Sequence, residues 1–108
     1  MEDILLKLAK IVEERKNNPS EGSYTNYLFE KGLDKILKKI GEESAETIIA
    51  AKNGDKTEIA NEVCDLLYHL LVMLNFCGVD INSVIAELEL RAEKQNNLKE
   101  LKNVDKNS

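Results

Sequence analysis

An all-α helical bundle built on a central antiparallel helix hairpin is the architecture this sequence implies, for three reasons. Alternating β-branched runs are almost absent, apolar residues recur at helical spacing, and Pro19, Gly32, Gly54 and Gly78 cut the chain into helix-sized pieces.

A first amphipathic helix is expected from about Glu2 to Lys16, stopping at Asn17-Asn18-Pro19, where the proline ring disfavours helical backbone just before it. Ser20 to Gly22 reads as a loop, and the Ser23 hydroxyl can cap a short helix through Phe29. Gly32 breaks or bends that piece. Asp34 is expected to cap a long helix reaching Lys52, and Asn53-Gly54 suits its end and the following turn. Asp55-Lys56-Thr57-Glu58 has the form of a capping box with Asp in place of Ser or Thr, opening a helix that ends at Gly78. Asp80 caps the last helix. From Arg91 on the sequence turns polar, and the tail, about 92–108, is expected to fray. With neither an internal repeat nor a long linker, residues 1–108 read as one domain.

The composition narrows the function. With 108 residues, 43% of them hydrophobic, a core is within reach, since a domain of this size buries roughly two-thirds of the surface its unfolded chain exposes. The balance of 15 Lys+Arg against 20 Asp+Glu, a net charge of -5, argues against nucleic acid as a partner, because phosphate backbones reward basic surfaces. The start "MEDILLKLAK" is acidic at once, and no run of about 18 apolar residues stands out, so neither a secretory leader nor a membrane span is expected and the location reads as cytoplasmic. Cys64 and Cys77 lack C-x-x-C spacing and read as buried, reduced thiols.

The chemistry lies in two charged stripes. On a helical wheel Lys31, Lys35, Lys39, Glu42 and Glu46 share a narrow sector, with Lys38 and Glu43 at its edges and Leu33, Ile36, Leu37, Ile40, Ile48 and Ala51 opposite. Glu42, Glu43 and Glu46 crowd one turn, although like charges at such spacing destabilise an isolated helix by roughly 0.2–0.5 kcal/mol per pair. In the next helix "VCDLLYHLLVML", Val63 to Leu74, is apolar nearly all round, the pattern of a helix buried on every side. Only Asp65 and His69 interrupt it, on a face shared with Glu62 and Glu58. A carboxylate in apolar surroundings needs a partner, so Asp65 is expected to have one.

The turn supplies it. Counted from Gly54, Glu46 lies eight residues before and Glu62 eight after; Glu43 lies eleven before and Asp65 eleven after. Across an antiparallel hairpin these pairs meet at two successive levels. Converging carboxylates with at most one imidazole nearby suit a hard divalent cation, Mg²⁺ or Mn²⁺, of the kind that also holds phosphate oxygens. Lys31, Lys35, Lys38 and Lys39 are then either a solvated face or contacts for substrate phosphate, and His69 either a hydrogen-bonded core residue or a support standing behind Asp65. Tyr24 and Tyr27 can stack on a base or fill the core.

Glu43-x-x-Glu46 followed by Glu62-x-x-Asp65 resembles the metal motif of the all-α nucleoside triphosphate pyrophosphohydrolases, the MazG-like and dimeric dUTPase-like enzymes. The fuller text, "SYTNYLFEKGLDKILKKIGEESAETIIAAKNGDKTEIANEVCDLLYHLLVML", is similar to the phosphoribosyl-ATP pyrophosphohydrolase family, over about Ser23 to Arg91. The resemblance implies hydrolysis of the α–β phosphoanhydride of phosphoribosyl-ATP to phosphoribosyl-AMP and pyrophosphate, the second step of histidine biosynthesis. It further implies Mg²⁺ held by Glu43, Glu46, Glu62 and Asp65, with catalysis by Glu42 and Glu46, the former as an additional ligand or as the group that handles the water. It implies a homodimer that covers the apolar Val63 to Leu74 helix; from the charged stripe itself, Lys35 and Lys39, joined by Lys31 and Lys38, are expected to meet the remaining phosphate charge. The alternatives are a house-cleaning pyrophosphohydrolase of a non-canonical nucleotide and a non-catalytic helical interaction module. One departure is visible: "RAEKQNNLKELKNVDKNS" lacks the basic segment with a Ser-Gly pair in which such enzymes often end. The chain also has no room for the cyclohydrolase domain to which this hydrolase is sometimes fused, so a stand-alone form is expected.

Overall fold

The computed structural model describes residues 3–96. Within them the chain forms five helices and no strand: α1 (Ile4–Asn17), α2 (Tyr24–Lys31), α3 (Leu33–Asn53), α4 (Lys56–Phe76) and α5 (Ile81–Asn96). The all-α expectation is met. The start signals that the sequence carries are used almost as read. The Asp3 carboxylate caps α1 by accepting from the Leu5 amide at 2.8 Å, Ser23 caps α2 through the Asn26 amide, and Asp55 caps α4 through the Glu58 amide at 3.1 Å. Each side-chain oxygen satisfies an amide that the first helical turn leaves without a partner. Gly54 ends α3 in the left-handed region, φ 73°, where a residue without Cβ has no steric cost.

Two boundaries differ from expectation. Asp34 does not cap α3. The helix starts at Leu33, directly after Gly32, whose φ of 95° ends α2 and begins α3 in a single residue. Asp34 instead sits in the first turn, where its negative charge favours the helix dipole. The last helix runs past Arg91 to Asn96, so residues 92–96 of the expected frayed tail are helical; the remainder of that tail lies outside the described residues.

α3 and α4, joined only by Gly54 and Asp55, share the most extensive helix contact in the molecule, and α1 and α2 cover one side of the pair. The core sits there: Val12 of α1, Leu28 of α2, Ile36 of α3, and Leu71 and Val72 of α4, with Leu8, Phe29, Ile40, Tyr68, Met73, Leu74 and Ile81 packed around them. The buried Thr25 hydroxyl bonds the Tyr68 hydroxyl, a polar contact between α2 and α4 at the edge of this core.

α4 is not buried on every side within one chain. Its inner face holds His69, Leu71 and Val72, while Val63 and Leu67 are exposed, as are Leu37, Ile48 and Ile49 on α3. Both cysteines are exposed, contrary to expectation: Cys64 lies beside Val63 on the outer face of α4, and Cys77 is that helix's C-terminal cap. By length and composition α4 is apolar enough to cross a membrane, but its packing on α1, α2 and α3 and its carboxylates make it the central helix of this bundle.

Candidate metal centre

The hairpin brings the two acidic pairs together. One carboxylate oxygen from each of Glu43, Glu62 and Asp65 lies within 4.8 Å of the others. Glu43 is the buried member, only 8% exposed, because it faces α4 and α2 from the middle of α3. Asp65, expected in apolar surroundings and in need of a partner, is exposed and has Glu43 and Glu62 beside it. The apolar residues around it in sequence point to other faces of α4, so its burial does not follow from theirs.

Glu46 lies outside this trio but close to two of its members. Burial raises the Glu43 carboxyl above its ordinary pKa, and Glu46 and Asp65 push it further the same way, against an opposing pull from Lys39. Glu62 is raised too, by desolvation first and then by Glu46 and Glu43. Crowded carboxylates resist ionisation because each added negative charge meets those already present. Glu43 Oε2 and Glu62 Oε2 are both buried with no hydrogen-bond donor. Buried carboxylate oxygens ordinarily have a proton, a donor or a cation against them. An all-oxygen donor set with two orphaned atoms fits a hard divalent cation.

The other expected residues divide. Glu42 turns away from the trio and pairs with Lys39 at 3.4 Å, so the structure does not bring it among the carboxylates. Lys39 sits next to the site: its ammonium is held protonated above its usual range chiefly by the Tyr24 phenol, with Glu42 and Glu43 adding to the effect. Lys38 is exposed and makes no ion pair among the described residues. Lys31 belongs to α2, not to the α3 stripe, but Gly32 turns the chain so that the Lys31 and Lys35 ammoniums lie 5.8 and 5.9 Å from the centre of one ring, Tyr27.

His69 is buried, 5% exposed, and both ring nitrogens are engaged. Nδ1 lies 2.7 Å from the Asp65 main-chain oxygen, which can only accept, so Nδ1 carries the hydrogen and the neutral ring has a bare Nε2. The Tyr24 hydroxyl, 2.7 Å away, donates to it. His69 therefore stands behind the carboxylates, supporting Asp65 through the backbone rather than through its side chain. Tyr24 is the residue at this site that sequence reading left open. It is half exposed, its pKa is raised by burial against the pull of Lys39, and it stacks on Tyr27 at 6.1 Å. No local pattern marks it, since its anchor lies 45 residues away.

Residues 5–92 match the phosphoribosyl-ATP pyrophosphohydrolase family. A protein of Streptococcus thermophilus named phosphoribosyl-ATP pyrophosphatase is 60% identical over 101 residues, 94% of this chain and 97% of its own. Another of that name, from Clostridium acetobutylicum, is 55% identical over 98 residues, 91% of this chain and 89% of its own. The histidine biosynthesis bifunctional protein HisIE of Caldanaerobacter subterraneus is 56% identical over 92 residues, which cover 85% of this chain and 45% of that longer protein.

Proposed function

The chain belongs to the phosphoribosyl-ATP pyrophosphohydrolase family and hydrolyses phosphoribosyl-ATP in histidine biosynthesis, and on that premise we propose that the reaction takes place at the carboxylates shared by α3 and α4. The observation that carries this placement is the convergence of Glu43, Glu62 and Asp65 within 4.8 Å, with two buried oxygens lacking donors.

Glu43, Glu62 and Asp65, with Glu46 beside them, would hold Mg²⁺, or Mn²⁺ in its place. Such an ion, when bound, neutralises charge on phosphate oxygens and lowers the pKa of coordinated water. Glu46, near Glu43 and Glu62 but outside the trio, takes the proton of the attacking water. The water oxygen bonds to phosphorus, the bridging α–β P–O bond breaks, and pyrophosphate leaves. Lys39 meets phosphate charge as a compact point cation, and Glu42 holds it in place from one turn away. Lys38 adds positive charge for the triphosphate, and Lys31 and Lys35, gathered at Tyr27, supply it farther from the carboxylates. His69 positions Asp65. The working unit is a homodimer in the cytoplasm, a reading supported by the exposed apolar residues on both central helices; nucleic acid and membranes play no part.

The test is pyrophosphate release from phosphoribosyl-ATP, dUTP and dCTP, with Mg²⁺ or EDTA, by the wild type and Glu46→Gln. The expected result is metal-dependent release from phosphoribosyl-ATP and a loss in Glu46→Gln of at least about 100-fold, the scale of general base catalysis. Full activity in Glu46→Gln would overturn the role of Glu46. Release confined to dUTP or dCTP would make this a house-cleaning enzyme, and no release from any substrate would leave a helical interaction module.

A further inference from the structure

The lysines of this site fall into two groups with different surroundings. Lys39 lies one turn before Glu43, is paired with Glu42, and feels the carboxylates directly. Lys31 and Lys35 make no ion pair among the described residues, although Glu30 and Asp34 are their sequence neighbours. They come from different helices and converge on Tyr27, with Gly32 and its φ of 95° as the bend that lets them do so. Lys35 precedes Glu43 by eight residues, so it stands about 12 Å along α3 from the carboxylates, at 1.5 Å per residue.

The ring that gathers them is fixed rather than loose. Tyr27 stacks on Tyr24 with 24° between the planes, Tyr24 donates to His69, and His69 donates to the Asp65 carbonyl. A continuous chain of contacts thus ties the two free cations to the helix that bears Glu62 and Asp65. Two ammoniums without an ion-pair partner among the described residues, 5.8 and 5.9 Å from the centre of one ring, suit a phosphate monoester, whose charge is concentrated on terminal oxygens.

Phosphoribosyl-ATP is anionic at two ends: the triphosphate, and the 5-phosphate of the second ribose, with the purine between them. ATP has only the first. Resting on the reaction assigned above, we infer that Lys31 and Lys35, assembled on Tyr27, form a separate subsite for that ribose 5-phosphate and set the preference for phosphoribosyl-ATP over nucleotides that lack it. The carboxylates and Lys39 handle the end that reacts; the Tyr27 platform reads the end that does not.

The experiment crosses substrate with protein. Phosphoribosyl-ATP and ribosyl-ATP, the same molecule without the 5-phosphate, are assayed for pyrophosphate release with Mg²⁺ by the wild type, Lys31→Ala, Lys35→Ala, the double variant and Lys35→Arg. Removing charge-assisted contacts should cost the double variant on the order of 10- to 100-fold in kcat/KM for phosphoribosyl-ATP, mostly in KM, while ribosyl-ATP changes by much less. The wild type's preference between the two substrates should collapse in the double variant and largely survive in Lys35→Arg. Equal losses on both substrates, or no loss on either, overturn the subsite while leaving the reaction assignment intact. A wild type inert toward both substrates overturns the assignment and the subsite with it. Thermal melts of each variant confirm that the surface substitutions leave the fold in place, and Lys31→Gln with Lys35→Gln replaces any alanine variant that fails this check.

Discussion

The two carboxyls with raised pKa, Glu43 and Glu62, make the metal-free protein sensitive to pH in a defined direction. Both are displaced upward from an ordinary value of 4.5, each by desolvation first and then by neighbouring carboxylates. A group whose pKa is higher folded than unfolded favours the fold when protonated. Its contribution is therefore complete below 4.5 and is lost as pH rises through the raised value. In EDTA, the Tm of the wild type should rise, relative to a Glu43→Gln, Glu62→Gln double variant, as pH is lowered from neutral toward the ordinary carboxylate range. Mg²⁺ should remove that difference in slope, because a cation at the site does at neutral pH what protons do at low pH, and should stabilise the wild type by about 2.7 kcal/mol at a hundred times its Kd. Parallel melting curves for both proteins across the pH range would contradict the crowding of these groups. The spacing of Glu43, Glu46, Glu62 and Asp65 was legible in the sequence because helix period and distance from Gly54 together fix which residues meet. Which carboxylate is buried was not legible. Glu43 is covered because α3 packs on α4 and α2, while Asp65 stays open on α4, a long-range fact that neighbours in sequence do not encode.

Among the elements, the junction of α2 and α3 carries the most consequence per residue. The sequence announces a break at Gly32 but points to Asp34 as the next cap, since short polar residues usually supply the first accepting oxygen. The structure dispenses with that cap: one glycine, at φ 95° and ψ -176°, closes α2 and opens α3 without an intervening loop. That backbone region is almost closed to residues with a Cβ. No atom lies within 4 Å of where a Cβ would stand, so strain alone sets the penalty of substitution. Gly32→Ala should lower stability by about 1–3 kcal/mol in urea titration. It should also raise KM for phosphoribosyl-ATP, because Lys31 and Lys35 would no longer meet over Tyr27. A Gly32→Ala protein with wild-type stability would show that the junction relaxes into an ordinary turn. The caps at Asp3, Ser23 and Asp55 needed no such long-range knowledge: each is a contact within three residues, and two of them, Ser23 and Asp55, were readable directly.

For the molecule as a whole, the open question is what covers the outer faces of α3 and α4. Leu37 and Ile48 are eleven residues apart, about three turns, and so lie on one side of α3; Val63 and Leu67 are one turn apart on α4. All four are at least 38% exposed, and Ile48 reaches 68%. The all-round apolar pattern of Val63 to Leu74 predicts complete burial, and this chain's own core covers only the face with His69, Leu71 and Val72. A sequence records that a face is apolar but not whether its own chain or another copy covers it. The proposed homodimer supplies the cover, and it makes a quantitative distinction. On a free surface, Ile48→Glu and Leu67→Glu should each change stability by less than about 0.5 kcal/mol. In a buried interface between two copies, each new charge loses its water without gaining a partner. The wild type should therefore sediment at twice the chain mass at micromolar concentration, and the Ile48→Glu, Leu67→Glu double variant as a single chain with much reduced activity. Cys64, beside Val63 on this outer face, gives an independent measure: it should react with a thiol reagent slowly in the wild type and at the rate of Cys77 in the double variant. A wild type that sediments as one chain, with Cys64 and Cys77 equally reactive, would leave these apolar residues facing water and remove the dimer from the account.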